Sequence, residues 1–216
     1  EAIQNASAGV VLAIAKGVYN ESVVVPRDLD LIGACSSGVE IRGLTGQSAA
    51  IVVDAGAAVS IQDIKISGGT IGVLAKNGGS LSAQGVWVSQ ATGIGISSTG
   101  GGVELNRVLI SQTQANSDGE QGFGLWARDG GLVRANELSI EYNRTTGLLL
   151  SGGGTELHGQ NVMVRGTQSQ KVDSGKGWGV YATSGAKATL QQVIVDKNRG
   201  AALLADSSGT SISAQD

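Results

Sequence analysis

From residue 50 onward, apolar and polar positions alternate in short runs, and the runs recur in a fixed order. Segments 72–88 (GVLAKNGGSLSAQGVWV), 124–140 (GLWARDGGLVRANELSI) and 179–195 (GVYATSGAKATLQQVIV) share one plan. Each has an apolar alternation, a glycine turn, a second alternation, two polar residues and a third alternation. Segments 93–110 and 147–164 repeat it with one extra residue at the turn. Alternation at period two predicts strands. Inward pairs follow for each run: Val73/Ala75, Ile94/Ile96 and Leu125/Ala127 in the first, Leu81/Ala83 and Val133/Ala135 in the second, Val108/Ile110 and Leu138/Ile140 in the third.

Every unit supplies one inward pair per run. A chain that coils so that like runs stack in parallel buries all of them in one column. The expected fold is therefore all-β, a parallel β-helix with three faces, about eight to nine rungs and a rise near 4.8 Å per rung. A β-sandwich also has many short strands, but it needs tight hairpins between antiparallel neighbours. Here the turns recur in like positions and the runs align along columns. The reading treats 1–216 as a single domain, with 1–8 (EAIQNASA) as a helical N-terminal cap and 50–216 as the regular rungs. Ser211–Asp216 ends after a second run with no cap following, which reads as a fragment of a longer chain.

A longer period lies over the short one. Residues 93–146 and 147–201 align as a double rung with a step of 54 residues. In each, the first rung ends in a long loop, 111–122 or 165–177, and the loop exits correspond as GFGLWA (122–127) and GWGVYA (177–182). Both loops are expected at one corner, two rungs or about 10 Å apart.

Composition sharpens this picture. Of 216 residues, 35 are glycine and one is proline, which fits neither collagen nor a Pro/Gly low-complexity segment. The glycines at 78–79, 100–102, 130–131, 152–154 and 185 are read as corners, where a positive φ costs glycine little. A net charge of −3 without a basic run argues against nucleic acid. One cysteine, Cys35, leaves no internal disulfide, and no apolar run is long enough to span a membrane.

The stretch from residue 10, VVLAIAKGVYNESVVVPRDLDLIGACSSGVEIRG, carries G-x-Y-x-E-x-V-x-V followed by D-L-x-L-I-G-A. It resembles the opening rungs of right-handed β-helix proteins of the pectin-lyase-like superfamily. The later rungs (GGGVELNRVLISQT, ATLQQVIVDKNRG) are similar to repeat-type bacterial β-helix proteins, most like secreted myxobacterial ones of unassigned function. The resemblance implies fold more than activity, because that superfamily holds lyases, hydrolases, esterases, epimerases and adhesins.

Catalytic members of the superfamily keep their chemistry on the outer face of one sheet. The outward column of the first run reads Val52, Leu74, Gly95, Trp126, Leu149, Tyr181, Leu204, with no carboxylate. The residue patterns of pectin methylesterases, polygalacturonases and pectate lyases are not visible, and no catalytic residue is assigned. His158 is read as a surface residue without an acidic sequence neighbour, in the polar column Ser60, Ser82, Glu104, Arg134, His158, Thr189. No cofactor and no metal is expected: Asp118/Glu120 and Asp173 fall short of the repeated carboxylates of Ca²⁺ loops.

The third-run exterior (Trp87, Leu109, Met163, Ile194) is also partly apolar, and exposed apolar surface marks contact sites. The candidate binding residues are Phe123, Trp126, Trp178 and Tyr181, with Asp118, Glu120, Asp173 and Lys176 in the loops. These aromatics suit a sugar polymer, a protein partner or self-association, or the loops folded back as cover. The sequence thus points to a secreted or cell-surface scaffold that acts by binding. Its alternative is a polysaccharide-active enzyme with catalytic groups in the loops or outside this chain.

Overall fold

A computed structural model describes residues 2–215. Short strands stack in parallel throughout. The first runs form an eight-stranded sheet, and the second and third runs together form a 13-stranded one. The last is a single sheet by hydrogen bonding because strands such as Gly102–Ser111 and Leu132–Glu141 pass from the second face to the third without a break. They bend at one left-handed residue, Arg107 (φ 53°) or Glu137 (φ 54°). Three faces therefore enclose one core.

The core is the predicted column. On the second face Leu29, Val59, Leu81, Val103, Val133, Leu157 and Ala188 stack in register, and all are buried. On the third, Ile66, Val88, Ile110, Ile140 and Val164 do the same. Leu, Ile and Val fill such a column well because each inward side chain packs on the one above and below. Helix α1 (Ala2–Asn5) leads into the first rung, and Arg27 donates to the Ala6 carbonyl (2.8 Å).

The first face differs from expectation in one rung. In strand Ile94–Thr99, Ile96 pairs with Val73 and Ser98 with Ala75, so the inward pair is Ile96/Ser98 and the outward residue is Ser97, not Gly95. Ser98 enters the core because its hydroxyl donates to the Gly101 carbonyl (2.7 Å). A satisfied hydroxyl costs little inside.

Corners are only partly glycine. Gly78 (φ 76°), Gly100 (62°), Gly130 (80°), Gly152 (92°) and Gly185 (83°) fit the corner reading, but the second-to-third corner is turned by Gly85 in one rung and by Asp63, Arg107, Glu137, Asn161 and Gln192 in others, all at positive φ. Part of the glycine excess has another cause. Gly72, Gly95, Gly124, Gly147 and Gly179 form a ladder at the start of the first face. A Cβ on Gly124 would lie 2.5 Å from the Gly147 carbonyl oxygen and 2.5 Å from Ile140 Cγ2. These glycines let successive backbones close on each other.

Candidate functional site

The ladder shapes the first-face exterior. Gly124 and Leu125 are both buried, so Phe123 and Trp126, three apart, both face out. Gly179 and Val180 do the same for Trp178 and Tyr181. Phe123 meets Trp126 edge-on with centroids 5.5 Å apart, and Trp178 meets Tyr181 at 4.6 Å. Such pairs contribute about 1 kcal/mol each beyond burial. The rung between carries Thr146, in register with Trp178, and Leu149, in register with Trp126 and Tyr181. Both are buried, while all four aromatics stay half-exposed. Aromatic pairs thus stand out on alternate rungs over a smaller rung.

A polar column runs beside them: Lys76, Thr99, Arg128, Ser151, Thr183, Asp206. Trp126 Nε1 donates to Ser151 Oγ (3.0 Å) and Tyr181 Oη to Asp206 Oδ2 (3.4 Å). Arg128 lies over the Trp126 ring, 4.4 Å from its centroid, and donates from Nε to Thr99 Oγ1 (3.2 Å). A cation over an indole face competes with any other ring for that face. Trp178/Tyr181 is therefore the more open platform. The sequence reading passed over this polar column, although each member sits two residues after an outward first-run residue and so had to share its face.

The long loops stack on one another at the corner between the third and first faces. Arg144 N donates to the Thr113 carbonyl and Gln168 N to that of Asn143. The Val172 amide reaches the Gly119 carbonyl (3.3 Å). Each loop is pinned by an asparagine from the rung after it. Asn143 accepts from Thr113 N (2.9 Å) and donates to the Ile110 carbonyl, and Asn198 repeats both contacts with Thr167 N and the Val164 carbonyl. Asn143 opens an N-x-Thr sequon but is fully buried, so it is closed to modification. Asp118, Glu120, Asp173 and Lys176 are all exposed. Asp173 accepts from Gly175 N (2.8 Å), and Asp118 from Ser117 Oγ (3.4 Å). Among the described residues no hydrogen bond or ion pair joins these four to the aromatics.

The second-face exterior is a polar cleft of about 600 Å³, holding Glu104, Arg134, His158 and an amide row from Gln84 to Gln191. Glu104, Arg134 and His158 lie on successive rungs as expected. His158 does have an acidic neighbour, contrary to expectation: Glu156 Oε2 is 3.4 Å from Nε2, two residues back on the same strand face. Cys35 is half-buried, and the Ser37 hydroxyl beside it lowers its thiol pKa. On the third face, Lys65 lies over Trp87, 4.6 Å from its centroid.

A model of the right-handed β-helix region matches residues 49–216. The chain belongs to the right-handed β-helix family. No curated protein matches this β-helix in sequence. Among solved structures, it is similar to pectin methylesterase PemA from Erwinia chrysanthemi, with a TM-score of 0.58 and 15% identity over 89% of this chain and 72% of that one. It is also similar to an alginate lyase from Paenibacillus sp. str. FPU-7, with a TM-score of 0.51 and 14% identity over 99% of this chain and 93% of that one. At such identities the likeness shows the β-helix fold. No helix among the described residues is long and apolar enough to cross a membrane.

Proposed function

We propose that this β-helix is a scaffold that binds a polysaccharide along its first face. The observation that carries the reading is the pair of half-exposed aromatic rungs, Phe123/Trp126 and Trp178/Tyr181, with a polar column alongside. Sugar rings present an apolar face and a rim of hydroxyls, and an aromatic ring flanked by polar groups meets both demands. Two fold neighbours are named as a pectin methylesterase and an alginate lyase, which is compatible with a sugar polymer on this fold. Polymers of that size do not cross membranes, so the reading puts the chain outside the cell, secreted or on the surface.

Affinity electrophoresis in gels cast with neutral and acidic polysaccharides tests this. Retardation in at least one gel is expected. Tyr181→Ala should weaken it about tenfold, roughly 1.4 kcal/mol. Trp126→Ala should weaken it less, because Arg128 already occupies that ring. No retardation in any gel, or retardation unchanged in a folded Tyr181→Ala variant, overturns the reading. Steady release of products from any of these polymers would instead favour the enzymatic alternative.

A further inference from the structure

Loop 165–177 and the corners on either side of it form a concavity of about 750 Å³ whose lining contains four cations and no carboxylate. Arg144 comes from the corner before the loop, Lys171 from the loop, and Lys197 and Arg199 from the corner after it. Gln168, Ser169 and Ser174 add amide and hydroxyl groups. None of the four cations forms an ion pair among the described residues. Two nearby carboxylates are engaged elsewhere: Asp196 with Arg165 (3.3 Å), Asp173 with the Gly175 amide. Arg144 donates from Nη1 to the Ser169 carbonyl, which fixes the guanidinium at the loop. In a chain of net charge −3, four convergent unpaired cations mark a place for a negative group.

Geometry narrows the group. A carboxylate shows two oxygens in one plane, which a single arginine fork satisfies. Here cations arrive from three chain segments, which suits an anion with oxygens in three directions. The basin also adjoins the aromatic platform, since a Cβ on Gly200 would lie 2.8 Å from Trp178 Cδ1. We propose that this basin binds a tetrahedral oxyanion ester, sulfate or phosphate, borne by a carbohydrate polymer. This rests on the polysaccharide reading above and adds the charge class of the polymer.

The full chain is titrated by biolayer interferometry against immobilised dextran sulfate, dextran phosphate, polygalacturonate, neutral dextran and duplex DNA. The esterified dextrans should bind at least tenfold tighter than polygalacturonate or neutral dextran, and their ratio identifies the ester. The double variant Lys171→Ser/Arg199→Ser should lose that advantage while keeping its circular dichroism spectrum, and Lys171→Arg should keep it. Both side chains are exposed, so folding is not at stake. An unchanged double variant, equal binding of polygalacturonate, or DNA bound as tightly as dextran sulfate overturns the proposal. The two readings fail separately. If Tyr181→Ala leaves every affinity intact and the double variant loses the ester advantage, the aromatic reading falls and the basin stands. The reverse pattern removes the basin alone.

Discussion

The two long loops share a frame and differ in charge. Both leave the third face, stack on the same corner, accept an asparagine cap from the following rung and re-enter through an aromatic, a glycine and a second outward aromatic. From Thr113 and Thr167 they run in parallel as TQANSDGE and TQSQKVDS, so Ser117 corresponds to Lys171 and Glu120 to Ser174. Loop 111–122 carries two acids and no base; loop 165–177 carries Arg165, Lys171 and Lys176 against Asp173. The corner before the first loop, Gln90–Thr92, has no cation; Arg144 lies in the corner between the two loops, and Lys197 and Arg199 follow the second. In a repeat protein the backbone contacts recur because each rung must fit its neighbours. Outward side chains are free of that demand, and there the copies diverge. The difference separates what holds the coil from what the coil displays.

The shared frame gives the largest expected effect. Asn143→Ala leaves the Thr113 amide buried without its partner and removes a second bond to the Ile110 carbonyl, at about 2–4 kcal/mol. Asn198→Ala breaks the same two bonds, but Asn198 is half-exposed, so water replaces part of the loss and about 1 kcal/mol is expected. Urea denaturation of both variants checks the order. Equal costs would show that burial does not distinguish the two caps.

Exchanging the charges sharpens the other half of the comparison. Ser117→Lys with Glu120→Ser gives loop 111–122 the charge character of its counterpart. If the basin needs its flanking arginines, dextran sulfate affinity rises by less than about threefold, near the value of one exposed ion pair. A tenfold gain would mean that loop charge alone suffices and that the convergence on Lys197 and Arg199 is incidental.

Legibility in the sequence follows the same division. The second and third faces could be read residue by residue because their inward positions are apolar and strictly alternate, as in Val103/Leu105 and Val108/Ile110. The first face slipped at 94–99, where Ile94 and Ile96 are both apolar while the true inward partner of Ile96 is a serine held by the Gly101 carbonyl. Glycine corners such as Gly78, Gly100, Gly130 and Gly185 were legible as turns, but the ladder Gly72, Gly95, Gly124, Gly147 and Gly179 was not, because close backbone approach leaves no hydrophobic mark in the sequence. Of the site, the outward aromatics were visible through strand alternation and the repeated exits. The basic basin was not, because Arg144, Lys171 and Lys197/Arg199 lie in three separate segments and make no local run.

Glu40 gives a small, pH-dependent effect and the clearest contrast with the open charges of the loops. It sits on the third-face exterior in register with Lys65, accepts from Ser67 Oγ (2.5 Å) and from Arg42 Nη2 (3.1 Å), and lies 3.6 Å from Lys65 Nζ. Partial burial pushes its carboxyl pKa up, but the Ser67 hydroxyl, Arg42 and Lys65 outweigh it, and the group ends below the ordinary glutamate value. A folded-state pKa below the unfolded one, about 4.3, stabilises the fold above that pH. The contribution fades as pH falls through the folded value. At pH 7, Glu40→Gln should therefore cost about 1 kcal/mol and lower the melting temperature by a few degrees. As pH falls below about 4.3 the two curves should draw together. A wild-type to Glu40→Gln difference that stays constant from pH 7 to pH 3 would mean that the carboxyl acts through its shape and neutral hydrogen bonds, and that its charge contributes nothing to the third face.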